Sequence, residues 1–349
     1  MHASPSNIER KPLKFLFYVE QNYSFDILRP IQKEALKQGC QVKWLVVGSE
    51  ASEQYLRDDE QMLASIDDAI AFKPDAVFVP GNHVPGFIPG IKAQVFHGIN
   101  QSKRGNVYPE RGLFDLYCTE GPQRTGMLLK AIKDKTHCKV VETGWVKLDA
   151  LFQYQALDTF SRPQILFSST FSTSLSCAEL VYEEIKRLSQ DSQWQWLVTL
   201  HPKMAKQTVQ KYKDLQGDNL VFFGNDQVIE ALHRADIMIC DNSSIFQEFL
   251  LLNKPVVTVN NRSPLDCFIN ITDAAELKGA IQQALSPSSV LIDKIKAYGP
   301  AITPYLDGNS SSRILSAVEE MIADSWQDTK PRNLIQNFKM RKKLKYWKY

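Results

Sequence analysis

Residues 235–261, ADIMICDNSSIFQEFLLLNKPVVTVNN, decide how this chain is read. The apolar run 237–240 predicts a buried strand, which stops at Asp241, Asn242, Ser243 and Ser244. These residue types cap helices, because their short side chains accept hydrogen bonds from the orphan N–H groups of a first turn. An apolar-rich helix is expected over 245–252, then Asn253, Lys254 and Pro255, then a second strand over 256–259. Strand, polar loop, helix and strand in succession form the repeating unit of a parallel α/β sheet. In such sheets ligands bind outside the carboxyl ends of the strands. Backbone N–H groups at a helix start, joined by two hydroxyls, suit a phosphate. An ordinary N-cap that binds nothing fits the same loop, and the loop alone leaves both readings open.

The alternation continues on both sides. Upstream, strands are expected at 13–19, 42–47, 76–79, 93–96, 113–118 and 139–143, with helices over 23–39, 61–72 and 122–132. Within 23–39, Phe25, Leu28, Ile31, Ala35 and Leu36 share a helical face, and Gly39 ends it. Residues 154–163 read as a linker. Beyond it come strands at 164–167, 194–200 and 220–223, and helices ending near 188 and over 227–234 and 314–322. The expected fold is α/β, with two Rossmann-like, doubly wound parallel sheets. The expected division is 1–153, 154–323 and a tail over 324–349. Two such halves point to a ligand in a cleft between them.

Composition narrows the class. The chain has 349 residues, 44% hydrophobic and 23% charged, which is ordinary for a soluble globular protein. A net charge of +2 gives no sign of a nucleic-acid partner. Its six cysteines are scattered, without metal spacing, and read as buried free thiols in a reducing compartment. The opening MHASPSNIERKP lacks the apolar core of a secretory signal. No run nears the ~18 apolar residues that span a bilayer. A cytoplasmic protein is expected, or one on the inner face of a membrane.

The tail differs from the rest. After Asp328 no acidic residue occurs, while Lys330, Arg332, Lys339, Arg341, Lys342, Lys343, Lys345 and Lys348 interleave with Trp326, Leu334, Ile335, Phe338, Leu344, Tyr346, Trp347 and Tyr349. A helix of this composition suits an anionic membrane surface. Packing back on the first domain, with a solvated basic face, is the alternative. An RNA-binding tail ranks below both, because the body lacks a matching basic patch.

Polar clusters sit where predicted strands end. His97-Gly98 follows the strand at 93–96, and a histidine there can serve as a general base. Lys103 and Arg104, nearby, suit a phosphate or plain solvation. Ser168, Ser169, Thr170, Ser172, Thr173 and Ser174 follow the strand at 164–167, placed to touch a nucleotide or to cap a helix. His201-Pro202-Lys203 follows the strand at 194–200. A late cluster, Asp307-Gly308-Asn309-Ser310-Ser311-Ser312-Arg313, opens a helix with an arginine suited to phosphate. Each also has an ordinary structural reading, as a loop histidine, a cap or a surface arginine. GxGxxG, the Walker lysine loop, GxSxG and metal-triad spacings are missing, which moves dehydrogenase, P-loop kinase and α/β-hydrolase behind other readings.

In this order, the clusters resemble the CDP-glycerol glycerophosphotransferases: teichoic-acid primases and polymerases and related capsule polymerases. The resemblance covers roughly residues 76–322. It is most specific in DNSSIFQEFLLLNKPVV (241–257) and next in YLDGNSSSRI (305–314). It implies a GT-B architecture, with an acceptor-side N-terminal domain and a nucleotide-donor C-terminal domain. It also implies transfer of glycerol phosphate, or a similar polyol phosphate, from a CDP-activated donor to a hydroxyl of a lipid-linked or saccharide acceptor, with CMP released. His97 matches the proposed general base, and His201 the residue that stabilises the donor's phosphates. Ser243, Ser244 and Arg313 match positions near the pyrophosphate, supported by Asp241, with Ser169 and Ser312 beside them. Lys103 and Arg104 stand as acceptor or phosphate contacts.

Displacement at the β-phosphorus rests mostly on positioning and electrostatic stabilisation, so no metal or other cofactor is obligatory. The resemblance implies a peripheral membrane enzyme. It departs from the family at Phe96, where Trp is common, at Ile99 to Lys103, and at Asn242, where Tyr is common. These departures leave the acceptor and the exact polyol open. A nucleotide-sugar GT-B glycosyltransferase and a non-catalytic nucleotide-binding protein are the alternatives.

Overall fold

A computed structural model describes residues 11–96, 98, 112–155, 160–224, 227–324 and 330–348. His97, Lys103, Arg104, Trp326 and Tyr349 lie outside the described residues. The chain forms two units, one from 1–149 with 302–349 and one from 150–301.

The first unit holds β1 (Lys14–Val19), α1 (Tyr23–Lys37), β2 (Gln41–Val46), α2 (Ile66–Phe72), β3 (Ala76–Val79), β4 (Ile91–Val95), β5 (Leu116–Thr119), α3 (Pro122–Ala131) and β6 (Lys139–Glu142). Its strands form one six-stranded parallel sheet in the order β2-β1-β3-β4-β5-β6. β1 is apolar along almost its whole length because both faces of the sheet are covered. On one face Phe17, Trp44 and Phe78 pack under Leu28 and Ile31 of α1. On the other, Leu16, Tyr18 and Val77 meet Ala69 of α2 and Leu128 of α3.

After α4 (Lys147–Gln153) the second unit holds β7 (Gln164–Ser169), α5 (Ala178–Leu188), β8 (Gln195–Leu200), α6 (Lys206–Lys213), β9 (Leu220–Phe222), α7 (Val228–Arg234), β10 (Ile237–Cys240), α8 (Ile245–Leu251), β11 (Val256–Val259), β12 (Phe268–Ile271), α9 (Leu277–Leu285) and α10 (Ser289–Ile302). Its sheet is parallel in the order β12-β11-β10-β7-β8-β9. The order reverses between β7 and β10, the topological switch point of a doubly wound sheet. Thus the expected α/β class with two Rossmann-like sheets is the observed one.

One device sets strand register in both units. Asp75, Asp115 and Asp236 each stand just before a strand, and each accepts an N–H at the start of the neighbouring parallel strand. The bonds are Lys14 N–H to Asp75 Oδ2 at 2.7 Å, Lys92 N–H to Asp115 Oδ2 at 2.8 Å and Gln164 N–H to Asp236 Oδ2 at 2.8 Å. The carboxylates satisfy donors at the amino edge of the sheet, where the ladder has no carbonyl left to offer.

The boundaries differ from expectation in three places. The chain returns to the first unit at 302, so α11 (Ser310–Ala323) belongs there and not with the second half. Ile314, Leu315, Val318 and Met321 of α11 complete the core beneath α1. The helix expected over 61–72 begins only at Ile66, because Ser65 accepts the Asp68 N–H as its N-cap. Residues before it run extended, with Met62 bridging Trp44. Finally α6, β12, α9 and α10 fill stretches that carried no assignment. All six cysteines are free and buried.

Candidate functional site

The carboxyl rim of the second sheet is organised by Asp241, just past β10. Its carboxylate is fully buried. It accepts hydrogen bonds from Ser169 Oγ (2.5 Å), Thr170 N–H (3.1 Å), Cys177 N–H (3.0 Å) and Ser243 N–H (3.0 Å). Asn261 donates to its backbone carbonyl at 2.8 Å. One residue therefore ties the loop after β7, the start of α5, the loop after β10 and, through its backbone carbonyl, the loop after β11. Asn242 adds a second tie, donating to Leu175 O (3.0 Å) and accepting from Arg262 N–H (2.9 Å).

These ties decide which candidates face outward. Ser169 is buried, its hydroxyl engaged by Asp241 and by Ser176 at 2.7 Å, so it shapes the loop from within. Ser243 is partly exposed and Ser244 exposed. Ser244 occupies the N-cap position of α8, yet its side chain makes no capping bond. The ordinary capping role open to this loop in the sequence is therefore not the one Ser244 performs.

His201 stands on the same rim, one strand over, at the end of β8. Its N–H approaches Ser169 O at 3.4 Å, and its Nδ1 accepts the Lys203 N–H at 3.0 Å. The ring lies 4.5 Å from that of Phe171, which is 43% exposed. Burial, and then the Lys203 charge, pull the imidazole pKa below its usual value. The ammonium of Lys203 sits 5.8 Å from the Phe171 ring. Sequence reading missed Phe171. Its signal is an aromatic inside a Ser/Thr-rich turn, where packing alone does not call for one.

The late cluster lies in the first unit. The N–H groups of Ser310 and Ser311, at the start of α11, are taken by the buried carboxylate of Asp149 at 2.9 and 2.6 Å. The chain's own anion thus occupies the helix terminus where a phosphate was expected. Arg313 pairs with Asp307, which holds that carboxyl below the usual range, and its guanidinium lies 4.0 Å over Tyr305. Ser312 is partly exposed beside it. Gly144, at φ 92°, lets the 305–310 loop approach, since a Cβ there would meet Ser310 Oγ.

His97 falls outside the described residues, but its two neighbours do not. Buried Arg124 stacks 4.1 Å over the Phe96 ring, donates to Gly98 O at 2.7 Å and pairs with Glu120 at 2.7 Å. Among the described residues no group of three His, Cys, Asp or Glu is placed to hold a metal ion.

Two Rossmann-like sheets, with a rim built at the switch point of the second, define the class: an enzyme of the GT-B transferase and epimerase superfamily. Within it, the chain belongs to the family described as UDP-N-acetylglucosamine 2-epimerase, whose model matches residues 116–319. It is 28% identical over 175 residues to the teichoic acid glycerol-phosphate primase of Bacillus subtilis (strain 168). That match spans 46% of this chain and 44% of the primase, so the chain aligns with less than half of this relative's length. A putative UDP-N-acetylglucosamine 2-epimerase from Listeria monocytogenes superposes with a TM-score of 0.62 at 14% identity, over 90% of this chain and 97% of that one. The wall teichoic acid polymerase TagF, in an H444N form with CDPG, superposes with a TM-score of 0.58 at 14% identity, over 90% of each. The matched family model is thus not that of the glycerophosphotransferases that the motifs resemble, while the curated relative is a protein of that kind.

Proposed function

We propose that this protein transfers glycerol phosphate, or a similar polyol phosphate, from a CDP-activated donor to a hydroxyl acceptor, releasing CMP. The observation that carries the reading is the rim at the β7–β10 switch point. There Asp241 ties the loops together, Ser244 is exposed without capping α8, and Ser243 and His201 are partly exposed. The likeness to the Bacillus subtilis glycerol-phosphate primase supports glycerol phosphate as the group transferred. In this reading His201, Ser243, Ser244, Ser312 and Arg313 are the donor-binding residues, and His97 removes the acceptor proton. Lys103 and Arg104 steer the acceptor or its phosphates. No protein-bound metal has a step in the proposal. The charge that builds on the leaving CMP is met by hydrogen-bond donors already in place.

The test is turnover of CDP-glycerol with a lipid-linked or saccharide acceptor, followed as CMP release. The wild type releases CMP, and His97→Ala slows release by about 10²–10⁴-fold, the usual contribution of a positioned base. Near-wild-type release by His97→Ala contradicts the assignment. The family model favours a second reading, chemistry on a UDP-sugar such as UDP-N-acetylglucosamine. Turnover of that compound, with CDP-glycerol untouched, selects it.

The tail belongs to the same proposal. The helix α12 (Leu334–Leu344) is docked on the first unit. Met340 is buried, Arg341 lies 4.4 Å over Phe87, Tyr346 stacks on Phe87 at 5.3 Å, and Lys343 reaches Glu20 at 2.8 Å. Leu334 and Ile335 remain 73% and 72% exposed, with Phe338 and Trp347 packed together beside them. Lys339, Lys342 and Lys345 are exposed on the same segment. No described helix is long and apolar enough to cross a membrane. An apolar patch among lysines suits contact with an anionic lipid surface, and through it a place on the cytoplasmic face of the membrane.

A further inference from the structure

The His201 ring is held by groups that fix more than its position. Its Nδ1 accepts the Lys203 N–H at 3.0 Å, so the lone pair on that nitrogen is engaged. A proton on Nδ1 would set two donors against each other. The single proton of the neutral ring therefore sits on Nε2. The Phe171 ring, 4.5 Å away and inclined by 37°, limits rotation of the imidazole. No described group meets Nε2, and His201 is partly exposed.

We propose that His201 acts as a neutral hydrogen-bond donor through Nε2–H to an oxygen of a diphosphate, and that Phe171 and the Lys203 amide are the positioning groups that hold it in this state. The proposal rests on the reading that this rim takes a nucleotide diphosphate. It specifies that His201 adds direction there, and neither positive charge nor a base. The groups facing the ring are consistent with this. Phe171 is apolar, Lys203 brings a cation near the ring, and among the described residues no carboxylate pairs with the imidazole.

The test joins nitrogen-15 NMR of histidine-labelled full-length protein with titration of CDP. His201→Gln assigns the signal. The wild type is expected to show the neutral Nε2–H pattern for His201 at pH 7. An Nδ1–H tautomer or an imidazolium at pH 7 overturns the proposal whether or not CDP binds. Lys203→Ala keeps the amide and is expected to keep the tautomer. Lys203→Pro removes the amide and is expected to give a tautomer mixture. Phe171→Ala is expected to move the imidazole pKa up towards its ordinary value, an effect that general loss of stability does not produce.

For binding, the amide nitrogen of Gln reaches about as far as Nε2, so His201→Gln is expected to stay within a few-fold of wild type. His201→Asn and His201→Ala are expected to lose about 10–100-fold, the worth of one hydrogen bond to a charged oxygen. Equal losses in all three variants overturn the donor role. If wild-type protein binds no CDP while the tautomer is as expected, the reading of the rim fails and the donor role falls with it. The NMR arm thus distinguishes the two failures.

Discussion

Asp241 shows how much a single residue can organise. Four donors from the β7–α5 and β10–α8 connections converge on a carboxylate with no exposed surface. Leaving buried N–H groups without partners costs roughly 1–3 kcal/mol each. Asp241→Ala is expected to destabilise the protein by about 3 kcal/mol or more, a fall in Tm of roughly 6–12 °C. Asp241→Asn is expected to lie between, since one acceptor oxygen remains while its amide opposes the donors. Calorimetry decides, and an unchanged Tm in Asp241→Ala contradicts the hub. Other residues of the 241–257 segment also prove structural. Asn253 takes φ 59° where the chain leaves α8, and Lys254 donates to Leu232 O, His233 O and Ala235 O, capping the end of α7. Burial lowers the Lys254 ammonium to about 8. The loop 241–244 was legible in the sequence because its residue types are local signals. Asp149 was not, because its bonds to Ser310 and Ser311 cross more than 160 positions and no local pattern announces them.

At the scale of elements, strands read from continuous apolar runs match closely, since burial on both faces leaves little else for them to be. Helices read less well where their start depends on one cap, as at Ser65, or where the pattern is short, as in α6. The tail packs back on the first unit, one of its two readings, and leaves part of its apolar surface exposed. α12 is docked through Met340 and Arg341, in its second half, while Leu334, Ile335 and Phe338 nearer its start are exposed. Because those three side chains are exposed, replacing them with glutamate is expected to leave Tm within about 1–2 °C. The same triple variant is expected to lose flotation with anionic vesicles, while the wild type floats with them and not with neutral ones. Flotation of the triple variant at the wild-type level contradicts the proposed lipid contact.

At the scale of the molecule, periodicity and alternation were enough for two doubly wound sheets, because a parallel sheet needs helices between its strands. They were not enough for the path of the last third of the chain. An amphipathic helix such as α11 shows that it covers a core without showing which one, and its partner proved to be α1 of the first unit. Ser312 and Arg313 therefore belong to a different unit from Asp241, Ser243 and Ser244. The central claim is that the switch-point rim of the second unit holds a CDP-linked diphosphate. The measurement that tests it most directly is a crystal structure of the protein with CDP-glycerol bound. The account predicts the diphosphate at the carboxyl ends of β7 and β10, within hydrogen-bond distance of His201 Nε2 and the hydroxyls of Ser243 and Ser244. A diphosphate held elsewhere, away from all three side chains, would contradict it.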